Sequence, residues 1–257
     1  MLYHKSCRLA CARAKTLADG NYILVDELKE CITGPGIDLL KGIKVIVGGF
    51  MSLDGKIAPV NRVGRTFTKF MTARHHRMLH TIRSEVDAII VGVETVIADD
   101  PSLTVRAVKG KNPIRVVLDS NARTPLDSKV LNGEAATIIV VTRNAPEDRI
   151  KFLPGKVEVI ESGQSKVDVK KLLHKLRDRG VKKVLVEGGG ETRWSFFKQR
   201  VVDDFFVWVM PYVWGGRDAP TMVGGEGFVK PKDAVSLRLR EMRIVDRILM
   251  LSFSVTK

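Results

Sequence analysis

Apolar residues fall along this chain in two kinds of run. Ile43–Met51 reads IKVIVGGFM, the nearly continuous apolar pattern of a strand covered on both faces. Shorter runs of the same kind predict strands at Ala88–Gly92, Ile114–Asp119, Ala136–Thr142, Val157–Ile160, Lys183–Glu187 and Asp204–Pro211. Between them the spacing becomes helical. Met78, Leu79 and Ile82 mark a helix over Thr72–Arg83 with Thr72 as its cap. Val169, Leu172, Leu173 and Leu176 mark another over Val167–Arg179, and a third runs from Glu191 to Arg200. A two-strand pattern from Val235 to Val255 closes the chain. This alternation predicts an α/β fold: a mostly parallel central sheet flanked by helices, with a C-terminal antiparallel ribbon. Residues 1 to about 34 carry helical patterns (CRLACARAKTLA, ILVDELKECI) and stop at Thr33-Gly34-Pro35-Gly36. Residues 1–40 are therefore expected to form a helical appendage of unassigned role, and residues 41–257 one domain.

Composition narrows the class. With 44% hydrophobic and 28% charged residues the chain reads as globular, and its longest apolar run, Ala135–Val141, is far short of the roughly 18 residues of a membrane span. The N-terminus has basic residues but no apolar core segment, so no secretory signal is expected and the reading is cytoplasmic. Cys7, Cys11 and Cys31, with His4, offer metal ligands, but not at the spacing of paired knuckles, and no metal is expected. Cys7 and Cys11 also stand one helical turn apart, as two small buried residues would. The net charge of +14 admits nucleic acid, an enzyme for a phosphorylated substrate and dinucleotide, or the Lys/Arg-rich surface of a protein from a hot environment. Basic residues are scattered among acidic ones, and 6% aromatics provide no stacking platform, so a nucleic-acid partner is not expected.

Chemistry gathers at a few places. After the strand Ala88–Gly92 the chain turns polar at Glu94, Thr95, Asp99, Asp100, Thr104 and Arg106, where open α/β sheets bind ligands. The competing reading is a surface loop in which Asp99, Asp100 and Pro101 make a turn. Val184–Glu187 followed by Gly188-Gly189-Gly190-Glu191-Thr192 is a strand, a glycine bend and a helix start, which suits a phosphate cradle or a purely structural turn. It fits neither the dinucleotide nor the P-loop fingerprint. Glu187, at the strand's end, is expected to have a partner such as a sugar hydroxyl. Arg83 serves either its own helix dipole or a ligand, and Arg106 either Asp99 or Asp100 or a ligand. Together the two arginines would suit a phosphate. Asp54 reads most simply as a type I′ turn residue. His75, His76 and His80 share a helix and read as surface or packing residues. No nucleophile–His set stands out, and the HxE…PCxxC zinc-deaminase signature is absent from the sequence.

Five segments in order resemble a known family: MSLDGK at 51–56, IRSEVDAIIVGVETVIADDPSLTVR at 82–106, PIRVVLDS at 113–120, VEGGGETRWSFF at 186–197 and GGRDAPTMVGGEGF at 215–228. They are similar to the riboflavin-biosynthesis reductases, both the reductase domain of the bifunctional deaminase/reductase and, more closely, the stand-alone archaeal type. The likeness covers some four fifths of the chain, from about Lys41. It implies a dihydrofolate-reductase-like fold, a homodimer, and NADPH-dependent reduction of 2,5-diamino-6-ribosylamino-4(3H)-pyrimidinone 5′-phosphate from the ribosyl to the ribityl form. A second NADPH reductase on the same fold, acting on a pterin or related heterocycle, is the alternative. By resemblance Asp99 is the catalytic candidate, nearest the hydride path. Phe50, Phe70, Thr95, Asp99, Ser120, Gly189, Gly190, Glu191 and Thr192 would meet the cofactor. Thr68, Arg83, Leu103, Arg106 and Glu187 would meet the substrate, the arginines at its 5′-phosphate. Thr68 and Phe70 stand where the family has a polar residue and an aromatic. Gly48 stands near where the bacterial bifunctional form has a lysine, so that lysine's role falls to another group or is dispensable here. Arg143, after the strand ending at Thr142, is placed to read an adenosine 2′-phosphate.

Overall fold

The computed structural model describes residues 42–256. The helical stretches expected within 1–40, with His4, Cys7, Cys11 and Cys31, lie outside them. Nine strands make one sheet in the order β5-β4-β3-β2-β6-β1-β7-β9-β8. They are β1 (Lys44–Ser52), β2 (Ala88–Gly92), β3 (Ile114–Leu118), β4 (Thr137–Val141), β5 (Glu158–Glu161), β6 (Lys183–Val186), β7 (Asp204–Met210), β8 (Ser236–Val245) and β9 (Ile248–Thr256). β1 to β7 run parallel, while β9 pairs antiparallel with β7 and with β8. This is the expected α/β class, with each strand within one or two residues of its predicted limits. Apart from the edge strand β5, the parallel part is apolar on both faces because helices cover both. α1 (Ala73–Ser84) and α2 (Val93–Asp99) lie on one side; α4 (Val169–Arg177) and α5 (Gly190–Lys198) lie on the other. Val169, Leu172, Leu173 and Leu176 of α4 are fully buried, as the spacing requires. Each contributes about 1.5–3 kcal/mol of apolar burial. The short α3 (Glu147–Lys151) was not expected; it buries no residue and so leaves no apolar period in the sequence.

The order of the strands places the site. The chain leaves β1, lays β2 to β5 progressively outward, and returns to put β6 between β1 and β2. The carboxyl ends of β2 and β6 are thereby side by side at a reversal of strand order, the ligand-binding position of open parallel sheets. At α1 the Thr72 hydroxyl accepts from the His75 amide, and the His75 ring reaches back to the Thr72 amide at 3.0 Å. That imidazole is wholly buried, with Nε2 2.9 Å from the Val245 carbonyl. His75 is thus a cap and a tie to the ribbon. Asp54 also departs from its expectation. The Gly55 amide bonds the Ser52 carbonyl at 2.9 Å, and neither central residue, Leu53 or Asp54, has the positive φ that a type I′ turn demands. Its carboxylate instead accepts the amides of Trp214 (3.1 Å) and Gly215 (2.7 Å). The Ser52 hydroxyl, aided by these amides, holds the carboxyl down at about 2.

Candidate active site

Two bends meet at the ends of β2 and β6, and glycine is what lets them meet. A Cβ on Gly92 would lie 2.4 Å from Thr192 Oγ1, and one on Gly188 would lie 2.9 Å from Thr95 Oγ1. Gly189, the N-cap of α5, has φ 71°, which L side chains adopt only with strain, and no side chain caps the helix there. The helix start therefore keeps its first-turn amides and positive dipole end without a side-chain cap, beside the Thr95 hydroxyl. Thr95, Gly188, Gly189 and Thr192 thus come together at one bend. Glu191 turns elsewhere: its Oε1 accepts the Gly225 amide at 2.7 Å and ties down the 221–225 loop.

A polar cluster adjoins the cradle through Glu187. Arg83 donates to that carboxylate from Nε at 2.8 Å and from Nη2 at 2.6 Å, and the side chains are only 11% and 12% exposed. Desolvation opposes the charge on Arg83, but the Glu187 carboxylate outweighs it and raises the guanidinium pKa. The helix-dipole reading of Arg83 is thus replaced by a bidentate ion pair across two elements. His80, one turn earlier on α1 and 4% exposed, accepts the Arg106 amide on Nδ1 at 2.9 Å. Burial first, then the nearby Arg83 and Arg106 charges, push the imidazole down to about 4, so it is neutral across the ordinary pH range. His80 is therefore neither a surface residue nor mere packing. Arg106 itself is exposed, and its guanidinium donates to Thr104 Oγ1 at 3.0 Å; it has no carboxylate partner among the described residues. Neither expected acid reaches it. Asp100 pairs with Lys129, through the Lys129 amide at 2.8 Å and Nζ at 3.1 Å. Asp99 reaches back to a 3₁₀ helix at Gly64–Phe70, accepting the Arg65 amide at 3.0 Å.

The remaining candidates spread around this centre. Burial raises the Asp99 carboxyl, against the opposing amides of Arg65 and Gly64. On the same 3₁₀ helix Thr68 is exposed, its hydroxyl donating to the Arg65 carbonyl at 2.7 Å, and Phe70 stacks on Tyr212 with centroids 4.1 Å apart. Phe50 meets Trp208 edge-on at 5.0 Å. Leu103 is 2% exposed, packs in the core beneath the site and holds φ 53°, a strained conformation for a residue other than glycine. Ser120, past β3, accepts the Thr142 hydroxyl on its carbonyl at 2.8 Å. Arg143, past β4, is 3.4 Å from Glu161. Those two lie one and two strands beyond β2, along the sheet's carboxyl edge.

Sequence reading passed over Arg193. Fully buried on α5, it donates to the carbonyls of Gly48 (3.1 Å), Met222 (3.3 Å) and Glu187. Burial lowers its guanidinium to about 10. A Cβ on Gly49 would sit 2.4 Å from its Nη2, while one on Gly48 would collide with the Phe206 ring. Arg193 thus fastens β1, the end of β6 and the 222 loop together. Its only sequence signal is a charge on a helix otherwise lined by Trp194, Phe196 and Phe197.

Residues 43–249 match the RibD C-terminal domain family. The chain is 45% identical over 199 residues to the 2,5-diamino-6-ribosylamino-4(3H)-pyrimidinone 5′-phosphate reductase of Aquifex aeolicus, covering 76% of this chain and 89% of that protein. It is 40% identical to the reductase of the same name from Methanothermobacter thermautotrophicus, covering 82% and 97%. Among solved structures, the deaminase/reductase of Thermotoga maritima superposes with a TM-score of 0.67 at 25% identity, over 84% of this chain and 57% of that one. Yeast riboflavin biosynthesis reductase Rib7 superposes at 0.66 and 20% identity, over 90% and 100%, a likeness of fold.

Proposed function

The chain belongs to the RibD C-terminal domain family, and from that premise we propose that it is an oxidoreductase that reduces the ribosyl side chain of 2,5-diamino-6-ribosylamino-4(3H)-pyrimidinone 5′-phosphate to ribityl with NADPH. One observation carries this reading: the glycine cradle at the start of α5 adjoins a cluster containing an ion-paired arginine and, among the described residues, an arginine with no acidic partner. The two halves ask for different ligands. Uncapped amides beside Gly189 and the Thr95 and Thr192 hydroxyls fit a dinucleotide pyrophosphate. The nicotinamide cofactor, when bound, supplies the hydride that reduces C1′ of the opened sugar. Arg106, tied by its amide to His80 near the Arg83–Glu187 pair, is suited to the substrate's phosphate ester. Glu187 presents a carboxylate already oriented by Arg83, and Asp99 carries a carboxyl whose raised pKa suits it to holding a proton. Arg143, at the carboxyl end of β4, is the group we assign to the 2′-phosphate that separates NADPH from NADH. A pterin would leave Arg106 with nothing to hold.

The test follows the nicotinamide absorbance while the protein, NADPH and the aminopyrimidine phosphate are mixed. Substrate-dependent loss of the band is expected, and no loss above the cofactor-only rate removes the assignment. In the same assay Gly189→Val places a side chain at a positive φ. It should weaken NADPH binding at least tenfold, seen by fluorescence quenching, with the fold kept; unchanged affinity removes the cradle from the cofactor site.

We further propose that the enzyme is a homodimer through its ribbon. Across a bulge between Leu239 and Glu241, Leu237, Leu239, Met242 and Ile244 of the edge strand β8 pair with Val255, Phe253, Leu251 and Leu249 of β9. All eight point to one face, and those of β8 are exposed. An apolar edge that the described residues leave uncovered invites association. Light scattering should give twice the chain mass, and Leu239→Glu with Ile244→Glu should halve it; a monomeric wild type would refute the dimer.

A further inference from the structure

We infer that His80 is a positioning residue of the substrate site: its Nδ1 holds the backbone of Arg106 and so sets where the Arg106 guanidinium stands beside the Arg83–Glu187 pair. The inference rests on the proposed role of Arg106 at the phosphate, and it adds a residue to that role.

The strap from Asp100 to Arg106 has no regular structure, and two of its residues sit at positive φ, Asp100 at 42° and Leu103 at 53°. A strained strap keeps one shape only if its surroundings impose it. Four fastenings do so. Asp100 is bonded to Lys129, the Ser102 carbonyl accepts from Arg115 at 3.4 Å, the Val105 amide donates to Asn112 at 2.8 Å, and the Arg106 amide donates to His80 at 2.9 Å. Of these only the last grips the residue whose cation has no acid beside it among the described residues.

Imidazole suits this post. Accepting on Nδ1 fixes the proton on Nε2 and excludes the protonated ring, which has no lone pair to offer. The surroundings enforce that state, because the ring is buried and Arg83 and Arg106 stand near it, with Glu187 and His76 the other charged or titratable groups it meets. An ordinary core side chain at this place would fill the space and leave the Arg106 amide without its acceptor. His80 therefore acts through Arg106; nothing requires it to touch substrate.

Asparagine and glutamine separate the two ring nitrogens. The side-chain oxygen brought in by His80→Asn falls near the place of Nδ1, whereas the longer amide of His80→Gln reaches toward that of Nε2. In His80→Gln and His80→Leu the substrate KM should rise roughly tenfold, the scale of a lost buried hydrogen bond. Turnover at saturation and NADPH affinity should change less than about threefold. His80→Asn should stay within about threefold of wild type in all three. In Arg106→Ala the His80→Leu change should add nothing, because its effect passes through the missing guanidinium. Amide hydrogen exchange gives a readout independent of turnover: the Arg106 amide should be protected in wild type and His80→Asn and exchange fast in His80→Gln. Equal behaviour of the Asn and Gln variants, an effect that persists in Arg106→Ala, or fast exchange in wild type would each overturn the inference. If Arg106→Ala leaves the substrate KM unaltered, the phosphate assignment fails, while the exchange pattern still decides whether His80 holds the strap.

Discussion

Arg83→Ala is expected to lower the unfolding free energy by about 3–5 kcal/mol and to abolish useful turnover, because it strands the Glu187 carboxylate in a nearly buried site. For a domain of this size that is a fall of on the order of 10 °C in Tm. Stability alone does not reveal function, since breaking any buried pair is costly. The separating experiment replaces both members with apolar residues of similar volume, Arg83→Met with Glu187→Leu. Removing both charges leaves no unpaired ion, so most of the lost stability should return. Activity should not: the doubly apolar site has neither the oriented carboxylate nor the guanidinium that stands beside His80 and Arg106. Chemical denaturation and steady-state kinetics on the three proteins check this. A double variant that is both stable and near normal in kcat/KM would reduce the pair to a structural tie.

Most of the sheet could be read in the sequence, for a physical reason. Strands buried on both faces must be apolar at every position, and helices on such a sheet must be apolar at every third or fourth, so β1 to β4, β6, β7, α1, α4 and α5 announce themselves, whereas the edge strand β5 buries only Ile160. Elements that bury little leave little trace. The helix Glu147–Lys151 buries no side chain, and the 3₁₀ helix Gly64–Phe70 buries only Phe67. Both lay inside what reads as loop. The register of the terminal ribbon was equally hidden, since the bulge after Leu239 shifts the apolar alternation by one residue and only the pairing with β9 restores it to one face.

At the site, residue types were legible and partners were not. Thr95, the glycine bend and Thr192 could be grouped because each follows a strand end, and strand ends on one sheet edge converge. The Arg83–Glu187 pair joins residues 104 positions apart and has no local pattern. Glu187 was expected to seek a sugar hydroxyl, but a buried carboxylate takes the nearest buried cation first. The two arginines expected together at one phosphate differ for that reason: one is ion-paired and the other, among the described residues, has no acid. His80 and Arg193 escaped because a polar residue on a helix reads as solvated until its depth is known. Burial converts each into an obligatory hydrogen-bonding group, His80 to one amide and Arg193 to three carbonyls.

Asp99→Asn should lower kcat by roughly 10²–10³-fold, within the range general acid–base groups supply, while moving the melting temperature by only a few degrees. The carboxylate stands at the last turn of α2, four residues after Thr95 and so on the same side of the helix, and Thr95 lies against the bend at Gly188. Burial raises its pKa in spite of the Arg65 and Gly64 amides directed at it. A carboxyl so placed exchanges a proton more readily near neutrality than an ordinary aspartate would. Asparagine retains the oxygen that accepts from Arg65 but sets an NH₂ where the second oxygen was, opposite Gly64. The 3₁₀ helix bearing Thr68 and Phe70 should therefore loosen slightly, at about 1 kcal/mol, the ordinary worth of one hydrogen bond. That small structural loss cannot produce a hundredfold fall in kcat; loss of the titrating proton can. The pH profile of kcat distinguishes the two, because the wild type should carry an ionisation in the carboxyl range that the asparagine variant lacks. Turnover within threefold of wild type, with that ionisation still present, would leave Asp99 as the pin of the 3₁₀ helix and move the proton to another group.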